Sequence, residues 1–238
     1  MERWIGEQER LGNKPGAEMG QTLLSLYGDV PLPGPIETWL KEGDAVREVT
    51  PVEVKRFSDE AREALTKEGY VIYELTGQSI RNQREGGKKF WSTWHQAGEY
   101  EAFETQGSMQ SEVAINPNKL FIKDSNYRTL SQQGDLITKF SRDLGKKVKG
   151  VEAVMGNASD YVGLAFAHLD ETTKAENPEY LFGEKYDYNY ARTKTPTVEG
   201  NVALVGYFHA VSGLDVRGWH PGHGYGSIFA APLVVPKA

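Results

Sequence analysis

Hydrophobic residues in the first two thirds of the chain recur mainly with a helical spacing. Residues 50–53 supply a hydroxyl N-cap, a proline at the first helical position and a glutamate three residues after the cap. The apolar positions that follow share one face until Gly69, which predicts the end of that helix. A second helix is predicted at about residues 133–144, and a third is predicted to begin at a Ser159 cap.

The last third of the chain has a pattern typical of strands. Over the whole chain, strands are predicted at residues 70–75, 151–155, 202–208, 214–219 and 228–235. Tyr186, Tyr188 and Tyr190 also alternate, which predicts one packed face of a sheet, with an exposed stacking platform for a sugar or a base as the alternative. Helices come first and the C-terminal half is β-rich, so the predicted fold class is α+β.

The beginning of the chain differs from the rest. Residues 1–35 mix charge with glycine and end in the extended, proline-rich run 30–35, which predicts an N-terminal arm ahead of a domain at 36–238. No run approaches 18 apolar residues, and the first residues lack the basic and apolar blocks of a signal peptide. Membrane insertion is therefore not expected, and the location stays open between the cytoplasm and display on a cell or virus surface.

Composition excludes several kinds of chemistry. The 238 residues contain no cysteine, which rules out disulfides, thiolate metal sites and a cysteine nucleophile. The net charge of −6 argues against a dedicated nucleic-acid partner, because phosphates are neutralised by an excess of Lys and Arg. No Gly-x-Ser-x-Gly elbow and no phosphate-binding loop are present. The sequence therefore predicts no catalytic residue and no cofactor.

Residues 201–236, here called the C-terminal segment, have a composition of their own. They hold only two charged residues, Asp215 and Arg217, where the chain average would give about nine. They contain no Lys, Glu, Gln or Met, but six glycines and three of the five histidines. Buried strands would explain residues 202–205 and 232–235, but the residues between them mix small, aromatic and polar types. That mixture is typical of recognition surfaces.

The missing residue types in the C-terminal segment form a set that the genetic code explains. If asparagine codons, adenine-adenine-pyrimidine, have both adenines replaced at random, the products never include Lys, Glu, Gln, Met or Trp. The segment lacks the first four types and contains one tryptophan, Trp219. Trp219 is then expected to be a fixed position of the scaffold.

These features resemble the variable proteins of diversity-generating retroelements, whose C-terminal segment is rewritten by adenine-directed mutagenic reverse transcription. The pattern Gly213-Leu214-x-Val216-x-x-Trp219-x-Pro221-Gly222 and the closing residues 232–236 look like the constant frame of such a segment. Residues 181–196 look like family sequence from uncultivated archaea and small bacteria, and the resemblance is firmest over residues 150–238. It implies a C-type-lectin fold that binds a protein or surface ligand without catalysis. The calcium and sugar signatures Glu-Pro-Asn and Trp-Asn-Asp are missing, so calcium-dependent sugar binding is not expected.

This resemblance divides the C-terminal segment into varied and constant positions. The positions expected to vary and to bind the ligand are Tyr207, His209, Val211, Ser212, Asp215, Arg217, Gly218, His220, His223, Tyr225, Gly226 and Ser227. Those expected to hold the frame are Gly213, Leu214, Trp219, Pro221 and Gly222. Random substitution in a packed core costs about one to several kcal/mol per site, so the varied side chains should be exposed and clustered.

Two other classes of function stay open at this point. A metal-dependent enzyme could use His209, Asp215, His220 and His223, because imidazole and carboxylate ligands suit zinc, nickel or iron. The histidine spacing does not match a known helical zinc motif, so no metal is predicted. A structural module, such as the tip of a fibre, would instead use the C-terminal segment as an assembly interface covered by a neighbouring subunit.

Overall fold

Helices and strands alternate in the first half of the described chain, and strands dominate the second. The computed structural model describes residues 54–91, 101–197 and 200–237, with the backbone alone at residues 101 and 102. The helices are α1 (Asp59–Lys67), α2 (Ile80–Glu85), α3 (Glu101–Thr105), α4 (Leu130–Lys147) and α5 (Ala158–Lys174). The strands are β1 (Val71–Thr76), β2 (Gln110–Ile115), β3 (Val151–Val154), β4 (Tyr190–Pro196), β5 (Val202–His209), β6 (Gly213–Trp219), β7 (Ile228–Phe229) and β8 (Leu233–Pro236). The predicted arm at 1–35 and the predicted helix start at 50–53 lie outside the described residues.

The strands form two four-stranded sheets. The first sheet has the order β1-β2-β8-β3 and its paired strands are antiparallel. The second has the order β6-β5-β4-β7 and is antiparallel except for the parallel pair β4 and β7. The last strand, β8, lies between β2 and β3, so the end of the chain completes the first sheet. The predicted α+β class with a β-rich C-terminal half is confirmed.

The hydrophobic core has two layers, one on each side of the first sheet. On one side Leu65 of α1 and Ile137 of α4 share a cluster with Val234 of β8. On the other side α5 lies between the two sheets and residues 158–166 are all buried. The second sheet contributes alternate residues such as Val205 to this core. Its opposite face, here called the outer face, carries a separate cluster of Tyr190, Leu204 and Ile228, with partly exposed Tyr207 and Trp219 packed against it.

Three helices begin at residues other than those predicted. Helix α1 starts only after Ser58, whose hydroxyl accepts a hydrogen bond from the Ala61 amide at 3.2 Å. The preceding residues are extended, because Lys55 bridges to β2 and the Phe57 amide donates to the Glu112 carboxylate. Helix α4 begins earlier than predicted, after a Thr129 capping box, and Asn157 rather than Ser159 caps α5.

Two predictions about strands are wrong. Tyr186 does not begin a strand, because it ends a 3₁₀ turn at Glu184–Tyr186 and its hydroxyl donates to the Pro117 carbonyl oxygen at 2.8 Å. Asp187 and Tyr188 then have φ values of 51° and 53°, which turn the chain before Tyr190 enters β4. The predicted strand at 228–235 is two strands in different sheets, since β7 pairs with β4 and β8 pairs with β2 and β3.

Candidate ligand-binding face

The positions expected to vary lie on the β5–β6 hairpin and on the 220–227 loop, which joins β6 to β7. Eleven of the twelve are partly or fully exposed, the exception being Asp215. Among the frame positions Gly213 and Leu214 are buried, Trp219 and Pro221 are partly exposed, and Gly222 is exposed. Gly213 has a φ of 93°, and a Cβ there would lie 2.4 Å from the Lys89 carbonyl oxygen, so this position requires glycine.

The expectation that Asp215 faces solvent is wrong. Its side chain is buried, and its Oδ2 accepts hydrogen bonds from the Tyr190 hydroxyl at 2.8 Å and from the Arg217 Nε at 2.7 Å. Gly206 lies between Tyr190 and Asp215 in the sheet register, and its missing side chain leaves room for the two groups to meet. Burial and the neighbouring Asp215 raise the pKa of Tyr190. Asp215 therefore belongs to the support of this face.

Aromatic rings cover the hairpin end of the outer face. The ring of Tyr207 lies 5.2 Å from that of Trp91, 4.9 Å from that of Tyr188 and 6.4 Å from that of Tyr190, centroid to centroid. The Arg217 guanidinium lies 5.1 Å from the centre of the Tyr190 ring. Tyr207 has a φ of 47° at the irregularity of β5, which is uncommon for an aromatic residue. The result is a surface of large rings with one Arg–Asp ion pair.

Aromatic and histidine rings also cover the loop end of the site. Trp219 and Tyr225 have ring centroids 5.3 Å apart, and those of His220 and His223 are 4.4 Å apart. Tyr127 lies beside this loop, since its amide donates to the Tyr225 carbonyl oxygen. At 73% exposed, Tyr127 is the most exposed large hydrophobic side chain of the described residues.

The exposed hydrophobic side chains concentrate at this site. Of the five exposed large hydrophobic residues in the described chain, Val71 alone lies elsewhere, and the others are Trp91, Tyr127, Val211 and Tyr225. Sequence reasoning missed Trp91 and Tyr127, because they precede the C-terminal segment by more than 70 residues. A cluster of exposed apolar side chains is typical of an interaction site.

The 220–227 loop is held by its main-chain carbonyl groups. Donors from other parts of the chain bond to six of its carbonyl oxygens: Arg192 to His220 and His223, the Leu130 amide to Pro221, the Trp219 indole to His223, the Tyr127 amide to Tyr225, Asn126 to Gly226 and the Tyr190 amide to Ser227. These bonds are 2.7 to 3.2 Å long. None of these bonds uses a side chain of the loop, so they constrain its shape without constraining its surface. Within the loop one side chain also contributes, since the His220 Nδ1 accepts a hydrogen bond from the Gly222 amide at 3.1 Å.

Arg192 connects the loop to the interior. Its Nε donates to Gln133 Oε1 at 2.8 Å, and Gln133 Nε2 donates to the carbonyl oxygens of Ser125 and Ile228. The Arg192 side chain is fully buried, and desolvation lowers its pKa to about 10. The guanidinium therefore stays charged at neutral pH, and charged donors make the stronger hydrogen bonds.

The four proposed metal ligands do not form one cluster, although the rings of His220 and His223 are adjacent. Among the described residues, no three His, Asp or Glu side chains lie close enough to hold a metal ion. Asp215 is engaged by Tyr190 and Arg217, and the His209 Nδ1 accepts a hydrogen bond from the Val211 amide.

In the part of the chain that the structure describes, no helix combines the length and apolar character that a membrane span requires.

Comparisons with known proteins assign the chain to no family. No family model, no curated protein and no solved structure matches it. A functional proposal for this chain therefore rests on its own residues and their geometry.

Proposed function

We propose that this chain is a non-catalytic ligand-binding protein with a C-type-lectin-like fold, whose binding face is diversified by adenine-directed mutagenic reverse transcription. The observation that carries the proposal is the anchoring of the 220–227 loop through its backbone. A binding protein that changes its surface needs a loop whose shape does not depend on the residues that vary. Main-chain anchoring meets that requirement.

The energetics of the anchoring favour tolerance to substitution. A typical hydrogen bond contributes about 1 kcal/mol net, and the bonds to the loop carbonyl oxygens persist whatever side chains the loop carries. Exposed side chains such as His220, His223 and Tyr225 contribute little to stability, since surface substitutions usually change it by less than about 0.5 kcal/mol. The face can therefore vary while the scaffold stays folded.

The chemistry of the outer face favours a protein or another surface as ligand. Tyrosine and tryptophan give large contact areas at a low cost in side-chain entropy, and glycine and serine adapt to different partners. Trp91, Tyr127 and Tyr188 lie outside the C-terminal segment and supply a constant aromatic border. Constant rings would provide affinity, and the varied positions would provide specificity.

A pair of libraries tests the proposal. The first randomises five exposed positions with codons ending in a pyrimidine, and the control randomises five buried positions in the same way. The exposed set is Val211, Arg217, His220, His223 and Tyr225, and the buried set is Leu204, Val205, Leu214, Val216 and Ile228. We expect most members of the first library, and few of the second, to unfold cooperatively on heating. Selection from the first library against unrelated proteins should yield binders, and failure to fold or to yield binders would contradict the proposal.

The flanking DNA tests the diversification separately. We expect a near-copy of the 3′ coding end that differs only at adenines, beside a reverse transcriptase gene. If this copy is missing, the diversification part of the proposal fails, whereas the binding part still depends on the libraries.

A further inference from the structure

Helix α4 joins two different surfaces. Its first residue, Leu130, donates its amide to the Pro221 carbonyl oxygen of the 220–227 loop. Its 18 residues extend about 27 Å at 1.5 Å per residue. The C-terminal end of the helix therefore lies far from the candidate ligand-binding face.

The C-terminal end of α4 is strongly basic. Residues 139–149 contain Lys139, Arg142, Lys146, Lys147 and Lys149 against one acid, Asp143. The first three follow the i, i+3, i+7 spacing that places side chains on one side of a helix. This stretch has a net charge of +4 within a chain of net charge −6, so the positive charge is concentrated here.

The basic residues border an open groove. The groove has a volume of about 380 Å³ and is lined by Arg142, Lys146, Lys149 and Lys237. The Lys237 amide donates to the Gly150 carbonyl oxygen at 2.9 Å, which fixes the end of the chain beside the turn that follows α4. Cations from the helix, the turn and the end of β8 thus converge on one surface.

Most of this charge is not neutralised by neighbours. Lys146 pairs with Asp143 at 2.7 Å, and Lys147, which does not line the groove, pairs with Glu68 at 3.6 Å. In the described parts of the chain, Arg142, Lys149 and Lys237 have no carboxylate within 4.0 Å. Glu152 also lines the groove but leaves it with a net positive charge.

The form of the groove distinguishes between possible anions. None of its described lining residues is aromatic, so it lacks the rings on which nucleic-acid bases stack. The groove lies at a helix C-terminus, where carbonyl groups repel a small phosphate, rather than at an N-terminus with free amides. Exposed cations on flexible side chains suit attraction to an extended anionic surface, as in polybasic lipid-binding segments.

We propose that the basic groove at the end of α4 binds the phosphate headgroups of an anionic lipid surface. Bound in this way, the chain holds its ligand-binding face at the opposite end of α4, away from the lipid. The association is peripheral and electrostatic, and it requires neither insertion nor variation of the C-terminal segment.

Vesicle sedimentation of the full chain tests this proposal. The vesicles are pure phosphatidylcholine, or phosphatidylcholine mixed with phosphatidylglycerol. The test variant is Arg142→Gln/Lys146→Gln/Lys149→Gln, and the control Lys119→Gln/Lys123→Gln/Lys174→Gln removes the same net charge from exposed positions elsewhere. We expect binding to the anionic vesicles alone, lost between about 0.05 M and 0.5 M salt as screening increases. The test variant should bind roughly a hundredfold more weakly, about fivefold for each cation removed, and the control nearly as well as the original chain.

Several results would overturn the proposal. They are equal binding to both kinds of vesicle, no binding to the anionic vesicles, or an equal loss in the test and control variants. A titration with tripolyphosphate distinguishes a small-phosphate site from a lipid surface. One-to-one binding of tripolyphosphate without vesicle binding would assign the groove to a soluble phosphate compound and refute the lipid proposal.

Discussion

Replacing Arg192 with methionine tests whether the interior of the protein shapes the 220–227 loop. The substitution keeps a long side chain but removes hydrogen bonds to Gln133 Oε1 and to the carbonyl oxygens of Arg128, His220 and His223. Because Arg192 is fully buried, the apolar methionine side chain would lie among the oxygen acceptors that the guanidinium now contacts.

Two opposing contributions set the change in the free energy of unfolding: the loss of hydrogen bonds, and the relief of the desolvation of a buried charge. Hydrogen bonds from a charged donor are worth about 1.5 to 3 kcal/mol each, but three of the four acceptors belong to exposed residues and can bond to water instead. Removing the buried charge also relieves the desolvation that lowers the pKa of Arg192, which offsets part of this loss. The Gln133 oxygen stays buried without its donor, at a cost of about 1 to 3 kcal/mol. We therefore expect Arg192→Met to lower the free energy of unfolding by about 1 to 3 kcal/mol, mainly through the orphaned Gln133 oxygen.

Urea unfolding measures the global effect, and hydrogen exchange of the loop amides measures the local one. Exchange in the 220–227 loop should become faster in Arg192→Met. The control is His220→Ala, which alters an exposed side chain of the same loop and should change stability by less than about 0.5 kcal/mol. The reasoning is refuted if Arg192→Met costs less than about 1 kcal/mol, or if His220→Ala costs as much as Arg192→Met.

Three further predictions concern backbone packing, pH and metal. Gly224→Ala should destabilise the protein by more than about 2 kcal/mol, because its Cβ would lie 2.2 Å from the Tyr127 carbonyl carbon. Gly226→Ala should cost less than about 1 kcal/mol, since its nearest neighbour is the movable Tyr127 hydroxyl, and thermal unfolding compares the two. Burial lowers the pKa of His168, whose Nδ1 lies 2.7 Å from the Tyr73 hydroxyl, so the unfolded chain takes up a proton more readily. The urea midpoint should then fall as the pH drops below about 6.5, less so in His168→Gln, and an identical pH profile for both proteins would contradict this. Elemental analysis of the purified protein should find no stoichiometric transition metal, whereas a metal lost on replacing the histidines of the 220–227 loop would favour the enzyme hypothesis.

Local hydrophobic spacing predicts the helices and strands whose pattern is complete within a short stretch of sequence. The i, i+3, i+4 spacing located α4 and α5, and β5 and β6 were predicted to within one residue at each end. The alternating tyrosines misled because alternation alone does not distinguish a strand from a turn in which Asp187 and Tyr188 both have positive φ. Residues 228–235 are apolar throughout, so only long-range pairing could assign their two halves to different sheets.

Composition located the candidate site but not its complete set of residues. The absence of Lys, Glu, Gln and Met identifies residues 201–236 as unusual, and all but one of the positions expected to vary are partly or fully exposed. Trp91 and Tyr127 of the aromatic border carry no such signal. They lie beside the site only because the folded chain brings Trp91 against Tyr207 and Tyr127 against the 220–227 loop. Asp215 was misplaced for the same reason, since its burial depends on a hydroxyl 25 residues earlier.

The sequence by itself determined the fold class, the lack of cysteine chemistry and the residue types of the C-terminal segment, because these follow from composition and short-range periodicity. Only the tertiary structure decided which of those side chains face solvent and what holds them there. The donors that fix the 220–227 loop come from as far as 100 residues away, as with Asn126 and the Gly226 carbonyl oxygen. Conformational preferences act over one or two turns of chain, whereas burial and hydrogen-bond partners are set by the whole packed molecule. Because the chain contains no cysteine, this face is maintained by such packing and hydrogen bonds without disulfides.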